Sequence, residues 1–63
     1  NVGRQHEDYA MIHTELFDTA REARSAGLRL EQRHGFGFVV VPDLDERGHR
    51  AFRLNVFELK LAA

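Results

Sequence analysis

The sequence predicts an α+β fold, with an N-terminal helix packed on a three-stranded antiparallel β-meander. Three observations point to it. From Tyr9 to Ala26 there is no Gly or Pro, and Tyr9, Ile12, Leu16, Ala20 and Ala23 recur at steps of three and four. Gly35-Phe36-Gly37-Phe38-Val39-Val40-Val41 is an unbroken apolar run that ends at Pro42, the pattern of a strand covered on both faces. Arg50 to Leu59 alternates apolar and polar residues, the pattern of a strand with one wet face.

Residues 1–7 are polar and are expected to fray. Glu7 and Asp8 would meet the positive end of the helix dipole, and the domain is expected to span residues 8–59. Gly27 suits the left-handed position that ends a helix. Leu28 to Arg33 alternates like a strand, and His34-Gly35 suits a two-residue turn into a strand over Phe36 to Val41. Pairing 33 with 36 and 30 with 39 sets Leu28, Leu30, Val39 and Val41 on one face, with Phe36, Phe38 and Val40 on the other. One long strand over 28–41, bent at Gly35 and Gly37, is the alternative. Pro42 is expected to stop the ladder, and residues 42–48 form a polar turn closed by Gly48. On the last strand Phe52, Leu54 and Val56 point one way and Arg53 and Asn55 the other, followed by Phe57 and Leu59. Lys60-Leu61-Ala62-Ala63 resembles a vector-derived tail. Without Lys60 the basic residues other than His are eight Arg and no Lys, which suggests a GC-rich bacterial or phage gene.

At 63 residues the chain is one small domain. Domains of this size hide only about 60% of the unfolded surface and usually need a disulfide, a metal or a partner. There is no Cys, which removes disulfides and fits a reducing, cytoplasmic setting. No apolar stretch approaches the roughly 20 residues that cross a bilayer, so no membrane partner is expected. One helix covers one sheet face. Phe36, Phe38, Val40 and Phe57 are then surplus apolar surface, expected to form an oligomer interface in a homo-oligomer, with a dimer favoured. The second copy would stack sheet on sheet or pair edge to edge.

Gly35-Phe36-Gly37-Phe38-Val39 resembles the RNP1 signature of the RNA-recognition motif, in which aromatics separated by Gly lead into Val. His34 stands where that family has Arg or Lys, and Val41 where it has a last aromatic. The resemblance implies that Phe36 and Phe38 stack on unpaired bases. A core strand whose glycines ease a turn is the alternative for the same residues. Arg29, Arg33, Arg50 and Arg53 are candidate nucleic-acid contacts if they line one sheet face. Glu31 and Glu58 interrupt that face, and a net charge of −1 provides no steering, so nucleic acid is not the favoured partner.

No catalytic, cofactor-binding or metal-ligating set is expected. His6, His13, His34 and His49 show no zinc spacing. Asp43, Asp45 and Gly48 lack the ligand pattern of a calcium loop, since Arg47 takes a ligand position. Ser25 sits at the expected helix end, where capping accounts for it. The expected function is therefore a non-catalytic interaction or regulatory module that self-associates. A nucleic-acid-binding domain is the first alternative. A small ligand binder or enzyme with a composite site between subunits is the second.

Overall fold

The computed structural model describes residues 9–59. The expected frayed start, the first two helix carboxylates, His6 and the vector-like tail lie outside the described residues. The element order is β1 (Tyr9–Phe17), α1 (Ala20–His34), β2 (Gly37–Leu44) and β3 (Arg50–Leu59). One helix and a three-stranded antiparallel sheet make the fold α+β, as the sequence predicts, but the order is strand, helix, strand, strand. The sheet order is β1-β3-β2. Both pairings are antiparallel, so β1 and β2 run the same way with β3 inserted between them. This is a split βαβ unit rather than a meander. Among the described residues no helix is long and apolar enough to cross a membrane.

The helix begins eleven or so residues later than its apolar spacing predicts. Thr19 is its N-cap, in extended backbone, and its hydroxyl accepts the Glu22 N–H at 3.1 Å. Thr19-Ala20-Arg21-Glu22 has the residue types and spacing of a capping box. Gly35 ends the helix at φ 76° in the left-handed region, and its N–H donates to Glu31 O at 2.8 Å. Arg33 and His34 occupy the last turn, where positive charge favours the helix dipole. Two expectations therefore fail. His34-Gly35 is a helix terminus, neither a hairpin turn nor a bend in one long strand, and residues 28–33 are helical. Gly27 is not a cap but lies inside the helix.

Ala23, Ala26, Gly27 and Leu30 are spaced i, i+3, i+4 and i+7, which makes them the inner stripe of α1. Ala23 and Gly27 are buried, and Ala26 and Leu30 pack against the core. Leu54 and Val56 of β3 and Ala23 are fully buried at its centre, with Phe17, Phe36, Phe38, Val40 and Phe52 packed around them. A Cβ added at Gly27 would lie 2.4 Å from the Phe38 ring. The absent side chain is what lets helix and β2 approach.

Residues directly opposite in antiparallel strands share a face. The rows Phe38–Val56–His13 and Val40–Leu54–Glu15 therefore face the helix, followed by Pro42–Phe52–Phe17. The helix packs mainly on β2 and β3. His13 and Glu15 consequently stay exposed and bond to each other at 3.1 Å. Pro42 does not end the ladder. It is tolerated within β2 because β2 is an edge strand and needs no donor on its outer side. The expected turn over 42–48 is shorter, since residues 42–44 belong to β2, but its Asp45–Gly48 part is as expected: Asp45 Oδ1 accepts the backbone N–H groups of Arg47 and His49, and Gly48 takes φ 81°.

Candidate functional site: the open sheet face

The sheet face away from the helix carries three complete rows across β1, β3 and β2: Met11–Phe57–Gly37, Thr14–Asn55–Val39 and Leu16–Arg53–Val41. Tyr9 and Leu59 extend it at one end, Ala51 and Asp43 at the other. The two ends differ in chemistry.

At the Asp43 end the polar groups bond to one another. Arg53 Nε donates to Asp43 Oδ2 at 2.7 Å, and Arg53 Nη1 donates to Thr14 Oγ1 at 2.9 Å. Thr14 Oγ1 then donates to Asn55 Oδ1 at 2.9 Å. The relay ties all three strands together through side chains. The Arg53 guanidinium, aided by the Leu44 backbone N–H at 2.7 Å, holds the Asp43 carboxyl below its ordinary value. A carboxyl lowered on folding contributes stability above its unfolded pKa and loses it as pH falls through the folded one. Asp43→Asn is therefore expected to lower the thermal midpoint at neutral pH. The gap should close as pH falls below the carboxylate range. A gap that stays constant from neutral to strongly acidic pH would count against the pairing.

At the Tyr9 end the face is apolar and open. Tyr9 and Met11 are each 57% exposed, Leu59 47% and Val39 46%. Tyr9, Gly37, Phe38, Val39 and Phe57 line a groove of about 380 Å³.

The fold separates the residues expected to form the oligomer interface. Phe38 and Val40 lie under the helix against the core, and Phe36 packs at its edge with its ring stacked on His34, centroids 5.0 Å apart. Of the four, Phe57 alone stands on the open face, and Phe38 borders its groove from the helix side. The physical reason is parity: the helix takes the even-numbered side of β2, and the odd-numbered Gly37, Val39 and Val41 face out. The expected strand pairing of 33 with 36 had assigned these faces the other way.

The RNP1-like run lies at the helix end and along edge strand β2, and Phe36 and Phe38 both pack on the helix side, with Phe38 also bordering the groove. The four candidate nucleic-acid contacts do not share a sheet face. Arg29 and Arg33 are on α1, and Arg50 and Arg53 are on opposite faces of β3, with Arg53 paired to Asp43. Among the described residues no cluster of three or more His, Cys, Asp or Glu has metal-binding geometry.

The class these features define is a two-layer split βαβ domain with one sheet face covered by its own helix and the other uncovered. No family model, curated protein or solved structure matches the chain.

Proposed function

We propose that the protein is a small non-catalytic interaction or regulatory module that works as a self-associated pair, with the open sheet face as its contact surface. The observation that carries this is the cluster of Tyr9, Met11, Val39 and Leu59, all heavily exposed on one face and grouped around Phe57. The chain's only described helix is spent on the opposite face. Grouped apolar side chains of this kind mark interaction surfaces. The core adds a thermodynamic reason: among the described residues its fully buried cluster is Ala23, Leu54 and Val56, and one of the three is an alanine. Chains of this size seldom hold more than about 3–5 kcal/mol from one core. Covering the open face supplies more burial at about 25 cal/mol per Å².

The non-catalytic part of the reading rests on how the polar groups are used. Asp43, Arg53, Thr14 and Asn55 satisfy one another, and the groove beside them is lined by apolar groups.

The test is molar mass in solution against concentration, by light scattering or sedimentation. The wild-type chain is expected to dimerise. Val39→Asp, on an exposed position of an edge strand, is expected to weaken the pair by about a hundredfold, since it buries an unpaired charge. Its far-UV dichroism should stay that of a folded α+β chain. A wild type that remains monomeric at millimolar concentration, or a monomer that instead binds single-stranded RNA in a salt-dependent way, would reject the proposal.

A further inference from the structure

Four glycines lie in the described residues, and three have a reason inside the chain's own fold. The Phe38 ring fills the space a side chain at Gly27 would need. Gly35 and Gly48 adopt positive φ. Gly37 has neither reason. Its φ lies outside the left-handed region, and a Cβ built on it meets nothing within 4 Å. Glycine weakens a strand, and where no bend requires it, it marks a close approach by another body. Gly37 lies in the lining of the apolar groove and is flanked across the ladder by Phe57.

We infer that the notch at Gly37 is the receiving site for Met11 of a second copy, an inference that rests on the self-association reading. The row Met11–Phe57–Gly37 runs large, large, empty across the three strands. A two-fold axis running along β3 between two stacked sheets exchanges β1 and β2. It sets Met11 over Gly37 of the partner, Gly37 under the partner's Met11, and Phe57 against its own copy. Large then faces small, as interdigitating layers require. An axis across the strands instead sets each strand, reversed, over its own copy, so Gly37 meets only the outward residues of the partner copy's β2 and never Met11. Three strands about 4.8 Å apart and roughly 30 Å long present a face of about 14 by 30 Å. Two such faces in contact hide roughly 800–900 Å², below the about 1,200 Å² of a standard interface, the size of a weak, concentration-dependent pair. A small apolar ligand in the groove would leave Met11 and Leu59 uncovered.

The experiment compares dimer dissociation constants of the full chain by sedimentation for wild type, Gly37→Val and the double variant Met11→Ala/Gly37→Val. Gly37→Val puts its side chain into open space in the monomer, so the fold is expected to hold and its thermal midpoint at high dilution to stay level or rise. Dimerisation is expected to weaken about tenfold or more because the notch is full. Met11→Ala in the same chain makes room above the new valine, and the pair is expected to recover much of the loss. A wild-type dimer that Gly37→Val leaves unchanged would overturn the notch while leaving self-association standing. A double variant no tighter than Gly37→Val would overturn Met11 as the occupant. A wild type that never dimerises removes both readings.

Discussion

Replacing Gly27 by Ala is expected to destabilise the protein, although Ala is the better helix former. The propensity gain inside a helix is about 1 kcal/mol. Against it stands the Phe38 ring, with three of its atoms between 2.4 and 2.7 Å from the position the new Cβ would take. Contacts that short must be relieved. Either the ring leaves its place over the core or α1 lifts off β2, and over-packing of this kind costs about 1–3 kcal/mol or more. The ring is confined, because Val56 lies directly opposite Phe38 in the ladder and is fully buried. The net loss is therefore expected to be up to about 2 kcal/mol, read as a lower urea midpoint with an unchanged slope. Gly27→Val should largely unfold the chain. Combining Gly27→Ala with Phe38→Leu separates the steric cause from any other: the smaller side chain is expected to return part of the loss. If Gly27→Ala raises the midpoint, the close approach of helix and sheet described above is wrong.

The second large effect is expected at Leu54. It lies in the middle strand, is fully buried, and pairs with Val40 on one side and Glu15 on the other. Leu54→Ala removes the largest side chain at the centre of a core that has only Ala23 and Val56 beside it in full burial. Truncations of this kind cost about 2–5 kcal/mol, more where the surroundings cannot collapse. Collapse is hindered here because the sheet ladder holds β3 from both sides. A domain of this length has a total stability of only a few kcal/mol. Leu54→Ala is therefore expected to abolish the cooperative thermal transition at 25 °C and to leave far-UV dichroism without its strand signal. Val41→Ala, on an exposed position of the edge strand, is the matched control and should stay within about 0.5 kcal/mol of wild type for the isolated chain. Equal midpoints for the two variants would show that the core is not centred where Leu54 lies.

These two positions also show how much of the fold could be read from the residues. Leu54 and its strand were legible: Phe52, Leu54 and Val56 against Arg53 and Asn55 is a pattern that fits one face in and one face out. The turn before it was legible through Asp45 and Gly48, whose preferences are local. Gly27 is ambiguous, because a glycine four residues after Ala23 suits a helix end as well as a helix interior pressed against an aromatic. The helix start is signalled only by Thr19-x-x-Glu22. The stripe it opens, Ala23, Ala26, Gly27 and Leu30, is built largely of small residues with little hydropathy, so the stronger periodicity upstream overshadowed it. Tyr9 to Phe17 contains apolar residues at helical steps, yet it pairs along β3 from Leu59 back to Phe52. Pairing between residues this far apart in sequence leaves little trace in local spacing.

Of the contact surface, the odd-numbered side of β2 could not be recognised beforehand. Gly37 to Val41 is apolar at both parities, so no polar residue marks the outward face, and a shift of one residue would exchange the sides. Local chemistry was enough for the α+β class, the Asp45–Gly48 turn and the in-and-out pattern of β3, because each depends on neighbours within a few positions; both ends of α1 fell elsewhere than the apolar spacing predicts. The insertion of β3 between β1 and β2, the seating of Phe38 on Gly27 and the outward turn of Val39 arise only when distant segments meet. Their cause is the competition for α1, the one helix among the described residues: it covers whichever face lets Ala23 and Gly27 come closest to the sheet, and the other face is left open.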